Sequence, residues 1–594
     1  VLVNKIINYD TNPGYQDSWL NQLTFIADDE DFNIHINQAD QIAESFLLQN
    51  PEVNIDKIYL DAFQQVSTAG GELYPSVTQA INTALLKGTS VINYMGHGGS
   101  SGLAQERILT INDVDNWNNN NKLALFVTAT CSFTAFDDPN FVTAGERAIL
   151  NPNGGAIALF TTVRAVYSSS NERLTRAVFD HLYQPVNSII PPIGEILRKA
   201  KNSNPADTIG INSRKFLLIG DPSMNLARPE LEVVTEFIND HDLSDGVTDT
   251  LSALQPVMIK GFIAQDGNWV NDFNGELDVI IFDKPQDART LAQDNTSFEK
   301  TFASRKNIIF KGKVSIDEGR FEFSFIVPSD IDYSFGQGKI SYYANDGTIL
   351  DAKGFYNKIV IGGSADVTVA DDQGPEIEVF LDDENFISGG ITSPNPTLLI
   401  KLKDDYGINI VGNSIGHDIT AVLDEETKNT FVLNEFYESE LDNNTAGTVR
   451  FPLFDLKEGN HSIKVKAWDI ANNSSEATTR FIVAFDATSA LDQVLNYPNP
   501  MTDFTTFRID HKLTGSLLDI TIEIFSSNGQ LVKTIEQSSV GGTGIVDGIQ
   551  WDGRSEIGTI LPNGIYLYKV IIKENSQSDE NNIISELERL VILR

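Results

Sequence analysis

The segment SVINYMGHGG, residues 90–99, decides the fold of the first part of this chain. Its apolar beginning predicts a strand that is buried on both faces, and its glycine-rich end predicts the loop that follows. A second apolar run, residues 123–129, ends in the same way just before Cys131. The segment between the two runs is too long for a hairpin. We therefore expect two parallel, neighbouring strands of an α/β sheet.

Each of the two predicted strand ends carries a residue suited to nucleophilic catalysis. Cys131 is the only cysteine of the 594 residues, so an internal disulfide and a cysteine-rich metal site are excluded. His97 alone among the seven histidines lies between glycines, which allow close approach of a substrate and leave a backbone N–H for an oxyanion. Because parallel strands end at one edge, we expect His97 and Cys131 to meet there, with the thiolate attacking a carbonyl. A buried structural cysteine and a turn histidine are the alternative.

Three strings extend this pattern to a known family. VINYMGHGG, LALFVTATCS and FLLIGDPSMN resemble the gingipain family of cysteine peptidases, which share a fold with caspases. The resemblance covers residues 1–228. It implies a catalytic dyad of Cys131 and His97, with the backbone N–H groups of Gly98 and Cys131 as the oxyanion hole. It also implies that Tyr167, which follows the next predicted strand, walls the substrate pocket; packing in the core is the other interpretation of this tyrosine.

Acidic side chains follow another predicted strand on the same edge. Asp28, Asp29, Glu30 and Asp31 come directly after the apolar residues 23–27. They suit a third catalytic group that orients His97, a calcium site or a solvated loop, and we favour one of the last two. The acidic turns at residues 382–384 and 404–405 also suit calcium, but none has the spacing of a calcium loop, and solvated turns are favoured. No cofactor is required, and calcium is possible.

The length of the chain predicts several domains. Up to Arg228, helical patterns alternate with buried strands, whereas the remainder consists of short alternating segments between Gly, Asn and Asp turns. This second pattern is typical of immunoglobulin-like β-sandwiches. The opening VLVNKIINYD predicts a helix with no strand before it, so we expect that an N-terminal part of the peptidase domain is missing. The predicted domains are a gingipain-like α/β domain at 1–228 and β-sandwiches at 229–374, 375–485 and 486–594.

The last of these sandwiches resembles a second known family. YPNPMTDFTTFRI, IEIFSSNGQLVKTI and WDGRSEIGTILPNGIYLYKVII resemble the C-terminal sorting domain of the type IX secretion system of Gram-negative bacteria. Asn528 and Gly529 predict a hairpin turn, and Pro562, Asn563 and Gly564 predict another. Together the two resemblances imply a type IX sortase. Such a peptidase removes sorting domains from secreted cargo and transfers the acyl group to an amine of surface lipopolysaccharide.

Two other functions remain open at this point. One is a secreted gingipain-like protease that is itself sorted cargo, and the other is a catalytically inactive surface adhesin or scaffold. Retention of residues 486–594 in the mature protein would favour the sortase over the cargo protease. The sequence does not decide between hydrolysis and transpeptidation.

The charge of the chain limits its partners. Lys and Arg number 43 and Asp and Glu number 82, which gives a net charge of −39 and an isoelectric point near 4.4. Nucleic acids and anionic membrane surfaces should repel such a chain. No apolar run is long enough to span a bilayer. The sortase resemblance therefore implies attachment to the outer membrane at the cell surface through a β-barrel partner protein, with residues 486–594 as the docking module.

Overall fold

A computed structural model describes most of the chain. The described residues are 1–185, 190–203, 211–247, 249–348, 350–366, 371–412, 416–454, 456–483, 491–511, 517–527, 529–540, 545–574, 582–584 and 587–594. The turn residue Asn528 lies outside them, and so do residues 486–490 of the predicted junction before the last sandwich.

The first part of the chain contains strands β1 to β11. Their bounds are β1 Gln22–Ala27, β2 Asn54–Tyr59, β3 Val66–Thr68, β4 Gly71–Leu73, β5 Val91–Met95, β6 Gly98–Gly99, β7 Gly102–Leu103, β8 Leu109–Thr110, β9 Ala124–Ala129, β10 Ala156–Thr162 and β11 Phe216–Ile219. In the described part of the chain, six of them form one sheet in the order β11–β10–β9–β5–β1–β2. Only β10 and β11 pair antiparallel in this sheet. The prediction that β5 and β9 are parallel neighbours is confirmed.

Helices cover both faces of this sheet. They are α1 Leu2–Thr11, α2 Ile34–Gln49, α3 Pro75–Lys87, α4 Ile111–Asp115, α5 Ala144–Leu150, α6 Ser168–Leu182 and α7 Ile193–Asn202. Residues Val91 and Met95 of β5 pack into one apolar cluster with α2 and α6, while Ile92 and Tyr94 pack into another with α3 and α5. Because successive side chains of a strand point to opposite faces, an apolar run such as β5 is buried on both sides.

The second part of the chain is a β-sandwich with a core of its own. Its strands are β12 Leu231–Ile238, β13 His241–Asp242, β14 Asp249–Ala253, β15 Pro256–Gln265, β16 Asn268–Trp269, β17 Gly275–Phe282, β18 Gln286–Arg289, β19 Thr301–Ser304, β20 Ile308–Ile316, β21 Arg320–Ile326, β22 Gly336–Gln337, β23 Lys339–Asn345, β24 Asp351–Tyr356 and β25 Ile359–Ser364. Alternate residues of β17 and β21 point into an apolar cluster that this region shares. The alternation read from the sequence therefore corresponds to the buried face of a sheet.

Two further strand-rich regions complete the chain. Their strands are β26 Glu376–Leu381, β27 Ile391–Thr392, β28 Thr397–Lys403, β29 Thr420–Leu423, β30 Thr430–Val432, β31 Tyr437–Glu440, β32 Asn443–Pro452, β33 Gly459–Trp468, β34 Ser474–Val483, β35 Leu491–Tyr497, β36 Thr505–His511, β37 Leu517–Ser526, β38 Leu531–Val540, β39 Ile545–Trp551, β40 Gly564–Glu574, β41 Asn582–Ile584 and β42 Glu588–Ile592. Each region has its own apolar cluster. The predicted fold class, an α/β domain followed by immunoglobulin-like β-sandwiches, is confirmed, while the domain boundaries stay predictions.

One loop of the second region docks on the α/β domain. It connects β18 to β19, and its backbone N–H groups at Ala292 and Gln293 donate to the two carboxylate oxygens of Asp61 at 2.7 and 3.0 Å. Asp61 follows β2 and is fully buried. Asn33 and Phe298 exchange two further hydrogen bonds of 2.6 and 2.8 Å. The loop is thus fixed at the edge where the parallel strands end.

The burial of the acidic turns at residues 382–384 and 404–405 tests the expectation that they are solvated. Asp382, Asp383, Glu384 and Asp405 are exposed, as solvated turns should be. Asp404 is buried, so the solvated interpretation is wrong for this residue. It lies close to Asp371 and Asp469 because the turn after β28 folds back on the sandwich. None of the helices in the described ranges combines the length and the apolar character that a membrane-spanning helix needs.

Candidate active site

His97 and Cys131 leave the sheet side by side. Met95 of β5 pairs with Ala129 of β9, and each of the two candidate residues follows its strand by two positions. The loops beyond the strands are also in contact, since the Ser100 hydroxyl donates to the Ser132 carbonyl at 3.3 Å. The sheet register therefore brings the predicted dyad to one edge.

Both side chains lie on the face that α2 and α6 cover. The His97 ring is 5.4 Å from the ring of His35, a residue of α2. Cys131 Sγ is 3.5 Å from the Val166 nitrogen, just before α6 begins. Within the described ranges, the two candidate side chains share no hydrogen bond with each other. Catalytic hydrogen bonds are often long before substrate binds, so this does not exclude a dyad.

Acidic side chains surround the His97 imidazole. Its Nε2 atom is 3.0 Å from Asp31 Oδ2 and 3.4 Å from Glu30 Oε2. Burial alone would lower the pKa of His97, but the negative charges of Asp28, Asp31 and Glu30 outweigh it and raise that pKa above its usual value. Carboxylates close to an imidazole stabilise its protonated form. Both of these carboxylate contacts are made by Nε2.

Two hydrogen bonds hold the backbone of His97 in place. Its N–H donates to Asp28 Oδ2 at 2.7 Å, and its carbonyl accepts from the Tyr94 hydroxyl at 2.6 Å. Gly96 allows this arrangement, because a Cβ atom there would lie 2.3 Å from Asp28 Cβ. The glycine before His97 is therefore required for the close approach of the acidic loop.

The acidic loop is not solvated as a whole. Asp28 and Asp29 are fully buried, so the solvated-loop interpretation is wrong for both. Three consecutive residues, Asp31, Phe32 and Asn33, adopt left-handed backbone angles with φ of 56°, 59° and 59°. These residues form a tight turn directly after the buried pair Asp28 and Asp29. The alternating pattern of buried and exposed residues in a strand does not continue into such a turn. The sequence therefore did not show that Asp28 and Asp29 are buried.

The loop that carries Cys131 is tied to the end of β10. The Thr162 hydroxyl donates to the Thr130 carbonyl, and the Thr134 N–H donates to the Thr162 carbonyl at 3.0 Å. Ser132 has a left-handed φ of 51°, and its N–H donates to the Arg164 carbonyl at 3.3 Å. These bonds turn the chain sharply after Cys131 and hold the cysteine at the edge of the sheet.

Gly98 is placed against the cysteine loop. A Cβ atom on Gly98 would lie 2.7 Å from Thr130 Oγ1, so only glycine fits without movement. Gly98 pairs with Leu103 in a small antiparallel ladder in which the Ala104 N–H donates to the His97 carbonyl at 3.0 Å. That bond flanks a non-hydrogen-bonded pair, so the ladder does not use the Gly98 N–H. The position is compatible with the predicted oxyanion role, which stays a prediction.

Tyr167 lies next to Val166, whose backbone contacts Cys131. Its side chain is 70% exposed, so the interpretation as a core residue is wrong. Lys215 Nζ lies 5.3 Å from the centre of its ring. Tyr167 is the residue that precedes α6, and its N–H donates to Asn212 Oδ1 at 3.0 Å. Its side chain makes no capping bond to the residues of this helix, all of which the structure describes. Its role in a substrate pocket stays a prediction.

Comparisons with known proteins agree with this geometry. Residues 1–227 match the family model "Peptidase family C25", and residues 496–585 match "Secretion system C-terminal sorting domain". Residues 1–227 are a cysteine-peptidase domain of family C25, the gingipain family. No curated protein was found to match the chain.

Two solved structures are similar to parts of the chain. The chain is 29% identical to dimeric latent PorU from Porphyromonas gingivalis, with a TM-score of 0.29, over 74% of this chain and 41% of that chain. It is 17% identical to the complex of Porphyromonas gingivalis RgpB pro- and mature domains, with a TM-score of 0.33, over 59% of this chain and 73% of that chain. The chain thus spans about two fifths of the PorU structure.

The site of the C25 domain includes residues that the sequence analysis did not single out. His35, a residue of α2, lies beside His97. The sequence did not predict this helix, although Ile36, Ala39, Ile42, Ala43 and Phe46 have helical spacing. Asn171 Nδ2 donates to the Ala129 carbonyl at 3.4 Å, and Asn171 Oδ1 accepts from Asn212 Nδ2 at 3.0 Å. No sequence pattern marks these asparagines, because their partners come from different elements.

Proposed function

We propose that this chain is a cysteine endopeptidase in which Cys131 is the nucleophile and His97 the proton donor. The observation that carries the proposal is the matched position of the two residues at the ends of β5 and β9. A lone thiol and an acid-flanked imidazole at one sheet edge suit acyl transfer through a covalent intermediate.

The reaction follows from the positions of the groups. The Cys131 thiolate attacks the scissile carbonyl carbon, and the N–H groups of Gly98 and Cys131 stabilise the oxyanion. The tetrahedral intermediate collapses as the C–N bond breaks, and the His97 imidazolium gives its proton to the departing amine. An acyl thioester on Cys131 remains. Water then releases an acid, or an amine attacks the thioester and forms a new amide.

The acidic neighbours of His97 favour its role as proton donor. Asp31 and Glu30 contact Nε2, and they help to keep the imidazole protonated at higher pH than a free histidine. These residues are positioning residues in the proposal, because they act through His97. The imidazolium in turn favours a thiolate on Cys131 by charge attraction once the two side chains approach each other.

The substrate class follows from the second half of the chain. A C25 domain and a sorting domain occur in one chain, joined by strand-rich regions at residues 231–364 and 376–483. This combination supports a sortase of the type IX secretion system that cleaves sorting domains from cargo and transfers the acyl group to an amine of lipopolysaccharide. The protein would act at the cell surface, held at the outer membrane by a β-barrel partner that binds residues 486–594.

A secreted protease that is itself cargo is the second candidate, since a cargo protein also carries a sorting domain. The two differ in the fate of the tail. A sortase keeps residues 486–594 in the mature protein, whereas cargo loses them.

The decisive experiment is mass spectrometry of cargo C-termini from cells that carry Cys131→Ala. We expect the cargo to keep its sorting domains, because no other thiol is present to form the acyl enzyme. Ser67→Ala, at an exposed residue of β3, is the control and should process cargo normally. Normal processing by Cys131→Ala would contradict the proposal. Processed control cargo with a free C-terminal acid would support the peptidase and contradict the transfer to lipopolysaccharide.

A further inference from the structure

We propose that Asp28, Asp29 and Glu106 form a binding site for one divalent cation of the Ca²⁺ class beside the catalytic histidine. The three carboxylates come from the loop after β1 and from the segment between β7 and β8. Glu30 and Asp31 of the same loop contact the imidazole, whereas Asp28 binds the backbone N–H of His97. The test of cation binding does not depend on the peptidase chemistry.

The spacing of the carboxylates suits a single ion. One oxygen of each residue lies within 4.8 Å of the corresponding oxygens of the other two. Calcium binds oxygen ligands at about 2.3–2.6 Å, so ligands on opposite sides of one ion lie about 5 Å apart. Asp28 and Asp29 are fully buried and Glu106 is 5% exposed. Three acidic groups are thus held together away from solvent.

Two buried oxygen atoms of the cluster are left without a donor. Asp29 Oδ1 and Glu106 Oε2 have no hydrogen-bond partner. Among the residues that the structure describes, no lysine or arginine forms an ion pair with any of the three carboxylates. Buried carboxylate oxygens almost always have a hydrogen-bond donor or a cation, because losing water is otherwise unfavourable. Hard oxygen ligands without a donor point to a cation such as Ca²⁺.

Protonation is the competing explanation. Burial raises the pKa of Asp29 to about 9 and that of Glu106 to about 7, and Asp28 and Asp294 add to both shifts. A protonated carboxyl group is itself a donor and needs an acceptor. Glu106 Oε2 has none, and the Tyr74 hydroxyl already donates to Asp29 Oδ2 at 2.5 Å. A proton on Asp29 could be accepted by Asp294, but a proton on Glu106 Oε2 would have no acceptor, whereas a cation would satisfy both free oxygens at once.

The cation would act on the active site through Asp28. Asp28 Oδ2 accepts the His97 N–H at 2.7 Å, and Asp28 Oδ1 accepts the Asp29 N–H at 3.0 Å. An ion that fixes this carboxylate therefore fixes the backbone of the histidine. In metal sites, groups that orient the functional residues in this way have large effects on activity.

Calorimetric titration with CaCl₂ tests the site on the full chain with Cys131→Ala, after treatment with EDTA. We expect this parent to bind one more Ca²⁺ per chain than the parent with Glu106→Gln, which removes one ligand charge while keeping the shape. The parent with Glu72→Gln is the control, because Glu72 is an exposed carboxylate of the same domain, and it should match the parent. Equal stoichiometry and affinity in all three proteins would overturn the proposal.

A second variant and a second measurement protect this test against misfolding. Asp29→Asn should lose the same ion, and its amide oxygen can still accept from Tyr74. The second measurement is thermal unfolding of the parent. Ca²⁺ should raise its unfolding midpoint more at pH 8 than at pH 5, because protons compete with Ca²⁺ for the carboxylate ligands at low pH. Titratable groups near the cluster also include Tyr74, Tyr94, Asp294, Glu30, His35 and His97. A parent that binds no Ca²⁺ would favour shared protons and contradict the site. Each result leaves the peptidase proposal untouched, since the parent lacks the nucleophile.

Discussion

His97 is the residue whose surroundings contribute most to the proposed chemistry. Its ring nitrogen contacts Asp31, its N–H is bound by Asp28, and its glycine neighbours allow both the acidic loop and the cysteine loop to approach. The sequence identified His97 and Cys131 because an isolated thiol and a glycine-flanked histidine each follow an apolar run. It did not predict that the acidic residues contact different parts of His97. Asp28 is buried and binds the backbone N–H, whereas Asp31 contacts the ring.

Asp31→Asn is expected to shift the pH dependence of peptide cleavage. Removal of this charge lowers the pKa of His97, so the imidazolium is lost at a lower pH. Because the proposed mechanism needs the protonated ring, the alkaline limb of kcat/KM should move to lower pH, with little change at the acidic end of the profile. Steady-state kinetics across pH measures the shift. Asp180→Asn, at an exposed residue of α6, should leave the profile unchanged, and an unchanged profile in Asp31→Asn would contradict the role given to Asp31.

Gly98→Ala is expected to lower kcat by about 10²–10³-fold, the scale seen when one oxyanion donor is lost. The added methyl group would lie 2.7 Å from Thr130 Oγ1 and 2.9 Å from the Gly102 carbonyl, so the loop has to move. Gly99→Ala is a matched control, because a Cβ atom there has no neighbour within 4 Å. Turnover of a model peptide by the two purified variants distinguishes them. Equal activity would show that the loop position is not needed for catalysis.

At the scale of elements, the sequence predicted the parts whose pattern is local. Strands β5 and β9 are continuous apolar runs, and helices α3, α5, α6 and α7 have amphipathic spacing. Helix α2 was not predicted, because it begins directly after the acidic loop and its apolar positions are interrupted by polar residues. The docking of the loop between β18 and β19 was also not predicted. Such contacts depend on side chains more than 200 positions apart, and no local pattern records them.

Asp61→Ala is expected to loosen that docked loop. The buried carboxylate accepts N–H groups of Ala292 and Gln293, and an unpaired buried donor costs about 1–3 kcal/mol. Hydrogen exchange should therefore become faster at residues 292 and 293, with the core of the second region still protected. The control is Asp287→Ala, an exposed position of the neighbouring strand β18. Unchanged exchange in Asp61→Ala would mean that the loop is held by other contacts.

The whole molecule joins an α/β domain to strand-rich regions, and the second region packs against that domain. Phe302 and Tyr343 of the second region belong to the same apolar cluster as Phe25 and Phe46 of the C25 domain. The sequence predicted the order and class of these parts, since helical spacing gives way to short alternation after Arg228. It did not predict that they share a core, because a hydrophobic pattern shows that a face is buried without showing what covers it.

The net charge of −39 acts on the molecule as a whole. It is compatible with a protein that works outside the cell on polypeptide substrates and that anionic surfaces repel. Attachment to a membrane would then need a specific partner, as the proposed function assumes.

Intact-mass spectrometry of the trapped acyl enzyme tests the central claim most directly. The purified chain is mixed with a peptide that spans the junction before a sorting domain, and the reaction is stopped with acid. We predict one added acyl group on Cys131, none in Cys131→Ala, and slower formation in His97→Ala. Because the chain has a single thiol, an adduct removed by hydroxylamine can be assigned without ambiguity. Cleavage of the peptide by Cys131→Ala, or cleavage by the unaltered chain without any adduct on Cys131, would contradict the account.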